Sequence, residues 1–145
     1  MNITRFTDYS LRTLIYLALQ EGQPVTIKEV ADRYGISKNH LMKIVQELNT
    51  KGFLAATRGK NGGIRLSRDP ADINIGALVR SIEQSSTLVE CFGADNQCVI
   101  TPACRLRVAF AEAMEGFFQC LDCYTLADLV TEDQPQLQQL LLANG

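Results

Sequence analysis

Apolar positions along this chain of 145 residues recur mostly at the three- and four-residue steps of an α-helix. Phe6, Tyr9, Leu14, Leu17 and Ala18 predict a helix over residues 5–20. Leu11, Ile15 and Leu19 widen its apolar face enough for burial on more than one side. Glu21-Gly22-Gln23-Pro24 supplies the glycine and proline that end such an element. Thr26-Ile27-Lys28-Glu29 has the form of a capping box and opens a short helix through Ile27, Val30 and Ala31. Tyr34-Gly35-Ile36 makes a turn, and Ser37 can cap a third helix running to about Thr50, with Leu41, Ile44, Val45 and Leu48 facing inward.

The period then changes. Residues 52–58 and 64–67 are short strand-like runs, and Gly59-Lys60-Asn61-Gly62-Gly63 lies between them. The Asn61-Gly62 step predicts a tight hairpin, because both residue types tolerate positive φ. Beyond Asp69-Pro70, Asn74 can cap a helix through Ile75, Leu78, Val79 and Ile82. A glycine- and polar-rich loop follows. Thr101 or Pro102 then opens the longest periodic stretch, in which Leu106, Phe110, Ala113, Met114, Phe117 and Leu121 form one apolar seam. About 18 residues at 1.5 Å each make a helix of ~27 Å. Three Phe and a Met in this stretch, on a largely acidic half, suit helix pairing in a dimer, with plain core as the alternative. Thr125-Leu126-Ala127-Asp128 opens a short last helix, and the tail from Gln134 is expected to be loosely held.

A helix, a glycine-containing turn, a second helix with a polar basic start and then a hairpin compose a winged helix-turn-helix. The fold class is therefore mostly α: a winged helix-turn-helix domain over residues 1–70, and a dimerisation part with a long helix over residues 71–145. Lys38, Asn39, His40 and Lys43 lie at the start of the second helix of the motif, behind its cap Ser37, where base edges and phosphates are met. Arg58, Gly59, Lys60, Asn61 and Arg65 mark the hairpin as a wing able to follow a groove. An ordinary solvated helix face is the alternative for the helix start; a decorative hairpin is the alternative for the wing, but it would not need this charge.

The overall net charge of −2 looks unpromising for a nucleic-acid binder, but it hides a division. Residues 1–70 carry eleven Lys and Arg against six Asp and Glu, whereas residues 71–145 carry three against ten. Between Arg33 and Arg68 there are eight basic residues and the single acid Glu47. One half has the electrostatic footprint of a phosphate binder and the other does not. No apolar run approaches the ~20 residues of a membrane helix, and the opening MNITRFTDYS has no apolar signal core, so a cytoplasmic protein without a membrane partner is expected.

Three of the five cysteines, Cys91, Cys98 and Cys104, fall in one loop with the spacing C-x6-C-x5-C. In a reducing compartment clustered thiols more often hold metal than form disulfides. Three thiolates leave a four-ligand site one ligand short. Cys120 and Cys123 have CxxC spacing, which invites a second-metal or redox reading; buried or half-buried thiols are the expectation. There is no phosphate-binding loop, no pair of catalytic acids and no histidine beside a nucleophile, so an enzyme is not expected.

Over nearly its whole length the chain resembles the iron–sulfur winged-helix repressors of bacteria, and among them the nitric-oxide-sensing group. The segments that carry the resemblance are FTDYSLRTLIYLA at 6–18, ISKNHLMKIVQEL at 36–48, RGKNGGIRL at 58–66, ITPACRL at 100–106 and YTLADLV at 124–130. The resemblance implies a homodimer with crossed long helices that binds double-stranded operator DNA. It also implies an iron–sulfur cluster on Cys91, Cys98 and Cys104, with Asp8 of the partner subunit as the remaining ligand. A 4Fe-4S cluster is preferred, with 2Fe-2S as the alternative, because loop length does not decide between them. Read without the resemblance, Asp8 is an acid near a helix N-terminus, favourable by ~0.3–1 kcal/mol, with Arg12 four residues on as a pairing partner. Some relatives of the family ligate the cluster through a histidine; His40, the only one here, reads instead as a DNA contact. The expected function is repression relieved by nitric oxide, through loss of operator affinity. A related iron–sulfur or zinc-dependent winged-helix regulator responding to iron or redox state is the alternative.

Overall fold

A computed structural model describes residues 2–85 and 87–142. Its helices are α1 (Arg5–Leu19), α2 (Ile27–Tyr34), α3 (Lys38–Thr50), α4 (Ile75–Ile82), α5 (Arg105–Leu121), α6 (Leu126–Thr131) and α7 (Gln134–Leu141). The strands β1 (Leu54–Thr57) and β2 (Gly63–Leu66) form an antiparallel hairpin. The mostly helical class and the winged helix-turn-helix expected from the residue pattern are both present. Among the described residues no helix is long and apolar enough to cross a membrane.

Each helix start has a local cause. Thr4 accepts from the Thr7 amide, Ser37 from the His40 amide and Asn74 from the Ala77 amide, so one exposed N–H of each first turn is satisfied. At Thr26 only half of the expected capping box forms. Its hydroxyl accepts from the Glu29 amide at 3.0 Å, but the Glu29 carboxylate turns away to accept from the Tyr16 hydroxyl at 2.8 Å. The full reciprocal box forms instead at Thr125 and Asp128.

The wing hairpin forms where the residue pattern placed it, but the Asn61-Gly62 step does not supply its positive φ. Leu54 pairs with Leu66 and Thr57 with Gly63, leaving residues 58–62 as a five-residue loop. Positive φ falls on Gly59 and Gly63, not on Asn61. Gly63 has a second constraint: a Cβ there would lie 2.6 Å from the carbonyl oxygen of Val25. That approach exists because Val25 and Ile64 exchange both backbone hydrogen bonds, at 3.0 and 2.7 Å, so the segment before α2 lies against the outer side of β2.

The core joins both parts of the chain. Leu14, Leu17, Leu41, Ile44, Leu48, Leu54 and Ile64 are buried together with Ile73, Leu78 and Leu126. Each such side chain contributes roughly 1.5–3 kcal/mol by leaving water. One face of α1 is polar in sequence and buried in the fold: Thr7, Ser10 and Thr13 are fully covered. They are small, and their hydroxyls are satisfied close by, Ser10 on the Phe6 carbonyl and Thr13 on the Tyr9 carbonyl, both at 2.7 Å. The tail from Gln134 is not loose. It forms α7, whose Leu141, with Leu142 after it, packs against the core.

The long helix starts later than its apolar seam suggested. Thr101–Ala103 is a short 3₁₀ turn, and α5 begins at Arg105 behind Cys104. No residue of α5 is buried within the chain, and Leu106, Val108 and Phe110 stand exposed. A groove of about 680 Å³ runs beside it, lined by Ile3, Leu88, Phe110, Met114, Phe117 and Phe118 among others.

Within the chain α5 leans chiefly on α4. Arg80 of α4 donates to both Glu115 oxygens and to Asp122, each at 3.0 Å, while its guanidinium lies 4.7 Å from the Phe118 ring. Asn74 adds a 2.7 Å bond to the Asp122 carbonyl. One turn before Arg80, Gly76 meets Asp122 so closely that a Cβ would lie 2.7 Å from its amide nitrogen.

Candidate nucleic-acid interface and cysteine loop

Side chains on α3 divide cleanly by direction. Leu41, Ile44, Val45 and Leu48 are buried, whereas Lys38, Asn39, Met42, Lys43 and Gln46 face outward. Ser37 spends its hydroxyl on the cap, at 3.1 Å from the His40 amide. The His40 ring is half-buried and lies back on α1, edge-on to Tyr9 at 5.2 Å and 6.4 Å from Phe6. It braces the start of α3 against the first helix.

Arg58, Gly59, Lys60, Asn61 and Arg65 are all exposed on the wing, as Lys38 and Lys43 are on α3. Several other cations are already spent, although Arg5, Arg33, Arg105 and Arg107 too stand outside the ion pairs of the described residues. Arg12, Lys28, Lys51 and Arg80 are tied up in ion pairs, and Arg68 is bound to the Gly52 and Lys51 carbonyls over the Phe53 ring. Among the described residues Lys38, Lys43, Arg58, Lys60 and Arg65 have no acidic partner. Unpaired cations on a helix start and an adjacent hairpin tip are what a phosphate backbone can use without first breaking an internal bond.

All five cysteines are free thiols. Cys91 and Cys104 are half-buried and Cys98 is exposed. The loop is held by its own side chains. Asn96 accepts from the Cys98 amide at 3.0 Å and donates to the Thr101 hydroxyl at 2.9 Å, which in turn donates to the Cys98 carbonyl at 2.8 Å. Its two ends meet at Arg107. The Arg107 amide donates to the Cys104 sulfur and its Nε to the Cys91 carbonyl, each at 3.4 Å, with the guanidinium 6.0 Å from the Phe92 ring. Cys104 thus caps α5 through sulfur.

Three uncrosslinked thiols on one loop are the donor set that iron–sulfur clusters use, and in that chemical sense the residues fit one. Their placement is not a closed cage. Among the described residues no group of three or more His, Cys, Asp or Glu side chains is gathered to hold a metal ion. Asp8 is not near such a group within its own chain. It makes a bidentate pair with Arg12, at 3.1 and 2.8 Å, and that guanidinium lies 5.3 Å from the Tyr9 ring. Cys120 and Cys123, expected to be buried or half-buried, are both exposed. Phe118 and Leu121, not the two cysteines, are the side chains of this segment that pack against the core. Periodicity placed the bases correctly but gave no hint of the Arg80 clasp or of Arg107, because charged side chains that bridge elements carry no period.

Comparisons with known proteins agree with this geometry. A family model described as Rrf2, iron-dependent transcriptional regulator, matches residues 3–132. The chain is 52% identical over 143 residues to the HTH-type transcriptional regulator NsrR of Geobacillus kaustophilus (strain HTA426), covering 97% of each protein. Among solved structures it is similar to IscR of T. potens, with a TM-score of 0.70 and 26% identity over 91% of this chain and 88% of that one. It is also similar to CymR, the global cysteine regulator of B. subtilis, with a TM-score of 0.67 and 26% identity over 90% and 97% of the two chains.

Proposed function

Because the chain belongs to the Rrf2 family of transcriptional regulators, we propose that it is a nitric-oxide-responsive repressor that holds its operator as a homodimer. It is a DNA-binding regulator and not an enzyme, as its relatives are. The observation that carries the DNA interface is the set of five unpaired cations shared between α3 and the wing. Residues 1–70 supply that surface, with Ser37, Asn39, His40, Gly59 and Asn61 shaping it. Residues 71–145 supply the cysteine loop and the pairing helix.

The dimer reading is supported by α5, a 17-residue helix with no buried side chain, and by the apolar groove beside it. In a homodimer this seam would cover Leu106, Phe110, Met114 and Phe117, and would set two recognition helices about one DNA turn apart, ~34–36 Å.

Cys91, Cys98 and Cys104, with Asp8 of the partner subunit, would hold an iron–sulfur cluster, 4Fe-4S in preference to 2Fe-2S. Such a cluster supplies iron that a small diatomic ligand can reach, most readily where a carboxylate replaces a softer thiolate. The chain's own residues do the rest. Arg107 draws the ends of the loop together, and Asn96 and Thr101 hold the turn that carries Cys98. Asp8 has a waiting partner in Arg12, so a change in what Asp8 binds is felt on α1, against which His40 of α3 rests. The resemblance to nitric-oxide-sensing repressors, with the 52% identity to a protein named NsrR, supports nitric oxide as the signal. A cytoplasmic location goes with this reading.

Anaerobic purification, absorbance spectra and operator-binding titrations with and without nitric oxide test it together. A brown protein whose operator affinity falls on exposure to nitric oxide is expected. Unchanged affinity after exposure overturns the sensor reading. A colourless protein carrying stoichiometric zinc overturns the cluster.

A further inference from the structure

Met42 is an apolar side chain where α3 otherwise presents polar and cationic ones. It is 48% exposed, one helical turn after Lys38 and one turn before Gln46, with exposed Asn39 and Lys43 beside it. The other exposed large apolar side chains lie elsewhere: Ile3 at the N-terminus, Val99 and Ile100 in the cysteine loop, the α5 seam, and Tyr124, Leu129 and Leu140 toward the C-terminus. No apolar neighbour on α3 joins Met42 to a patch that a protein surface could cover. Its position is fixed from behind by the buried Leu41, Ile44 and Val45, and the start of the helix is braced by the His40 ring on Tyr9.

A solitary apolar group set among two lysines and two amide side chains matches one feature of duplex DNA. The major groove is lined by phosphates and polar base edges, and its one apolar group is the 5-methyl of thymine. Methionine is unbranched and polarisable, which suits it to close over a small methyl group. We propose that Met42 is a specificity-determining residue that reads a thymine methyl in each operator half-site, between base or phosphate contacts from Asn39, Lys43 and Gln46. The inference rests on α3 as the base-reading helix.

The experiment uses the full chain, purified anaerobically. High-affinity duplexes are first selected from a random pool, and each thymine of the selected site is then replaced singly by deoxyuridine, which removes only the methyl group. Wild-type protein is expected to lose roughly fourfold in affinity at one thymine per half-site, and about sixteenfold when both are replaced, the scale of one buried methyl each. Met42→Ala, a change at an exposed position, is expected to keep the melting temperature and to bind the two duplexes equally well. Methyl-insensitive binding at every thymine overturns the proposal, and so does undiminished sensitivity in Met42→Ala. Asn39→Ala separates the two ways of failing. Weaker binding with no methyl effect leaves α3 as the reading helix and removes Met42 alone; unchanged binding in Asn39→Ala, together with methyl insensitivity, removes the helix as well.

Discussion

Gly76→Ala is the sharpest test of how the long helix is attached. By local propensity alone the change should help, since Ala is better than Gly inside a helix by about 0.8–1 kcal/mol. The packing says the opposite. A Cβ at position 76 would collide with the Asp122 carboxylate and would lie 2.7 Å from its amide nitrogen and 2.8 Å from its Cα. Ordinary contact begins near 3.4 Å, so α4 and the end of α5 must separate by roughly 0.6–0.7 Å. The Arg80 bonds to Glu115 and Asp122, now 3.0 Å, would then stretch beyond useful hydrogen-bond range. Overpacking of this kind costs about 1–3 kcal/mol. After the propensity gain a net loss centred near ~1 kcal/mol and reaching about 2 is expected, or roughly 3–6 °C in melting temperature. Thermal and urea unfolding at one fixed protein concentration measure it, because dimerisation would make the midpoint depend on concentration. The double variant Gly76→Ala/Asp122→Ala should not recover, since the obstructing amide nitrogen and Cα remain. A Gly76→Ala protein as stable as wild type, or full rescue by Asp122→Ala, would refute the close backbone approach.

Two further outcomes follow from the side chains. Arg65→Ala, which removes an unpaired wing cation, should weaken binding across DNA sequences and lower the salt slope by about one; an unchanged slope strikes Arg65 from the phosphate contacts. Burial pushes Tyr34 from the ordinary 10 to about 12, and burial together with the bond to Glu29 does the same for Tyr16. The folded chain therefore keeps both phenols neutral where the unfolded chain ionises them. That stability is fully present below pH 10 and is lost as pH rises toward about 12. Urea midpoints across this range should fall for wild type and fall less for Tyr34→Phe; equal declines would show that Tyr34 is not the group involved.

Much of the molecule was legible because its elements bury one face each. Leu41, Ile44, Val45 and Leu48 announced α3, and the basic run from Arg33 to Arg68 announced the cations exposed on its other face and on the wing. What misled was local in each case. Asn61-Gly62 suggested where positive φ would fall, but register and the Val25 approach put it on Gly59 and Gly63. The glutamines after residue 133 suggested a loose tail, and the leucines among them were enough to close α7 on the core. Thr7, Ser10 and Thr13 carry no apolar signal for burial; their own helix carbonyls and Glu83 satisfy their hydroxyls, so they can be covered.

The amino-acid order alone therefore determined the helices, the wing, the charged face and the three-cysteine loop, since each is written in spacing over a few residues. Tertiary structure alone decided that Arg107 joins the ends of the cysteine loop and that Gly76 and Arg80 fasten α4 to the end of α5. Those are contacts between elements whose partners lie up to 46 positions apart, as Gly76 and Asp122 do, and periodicity carries no information about which distant side chain will be met.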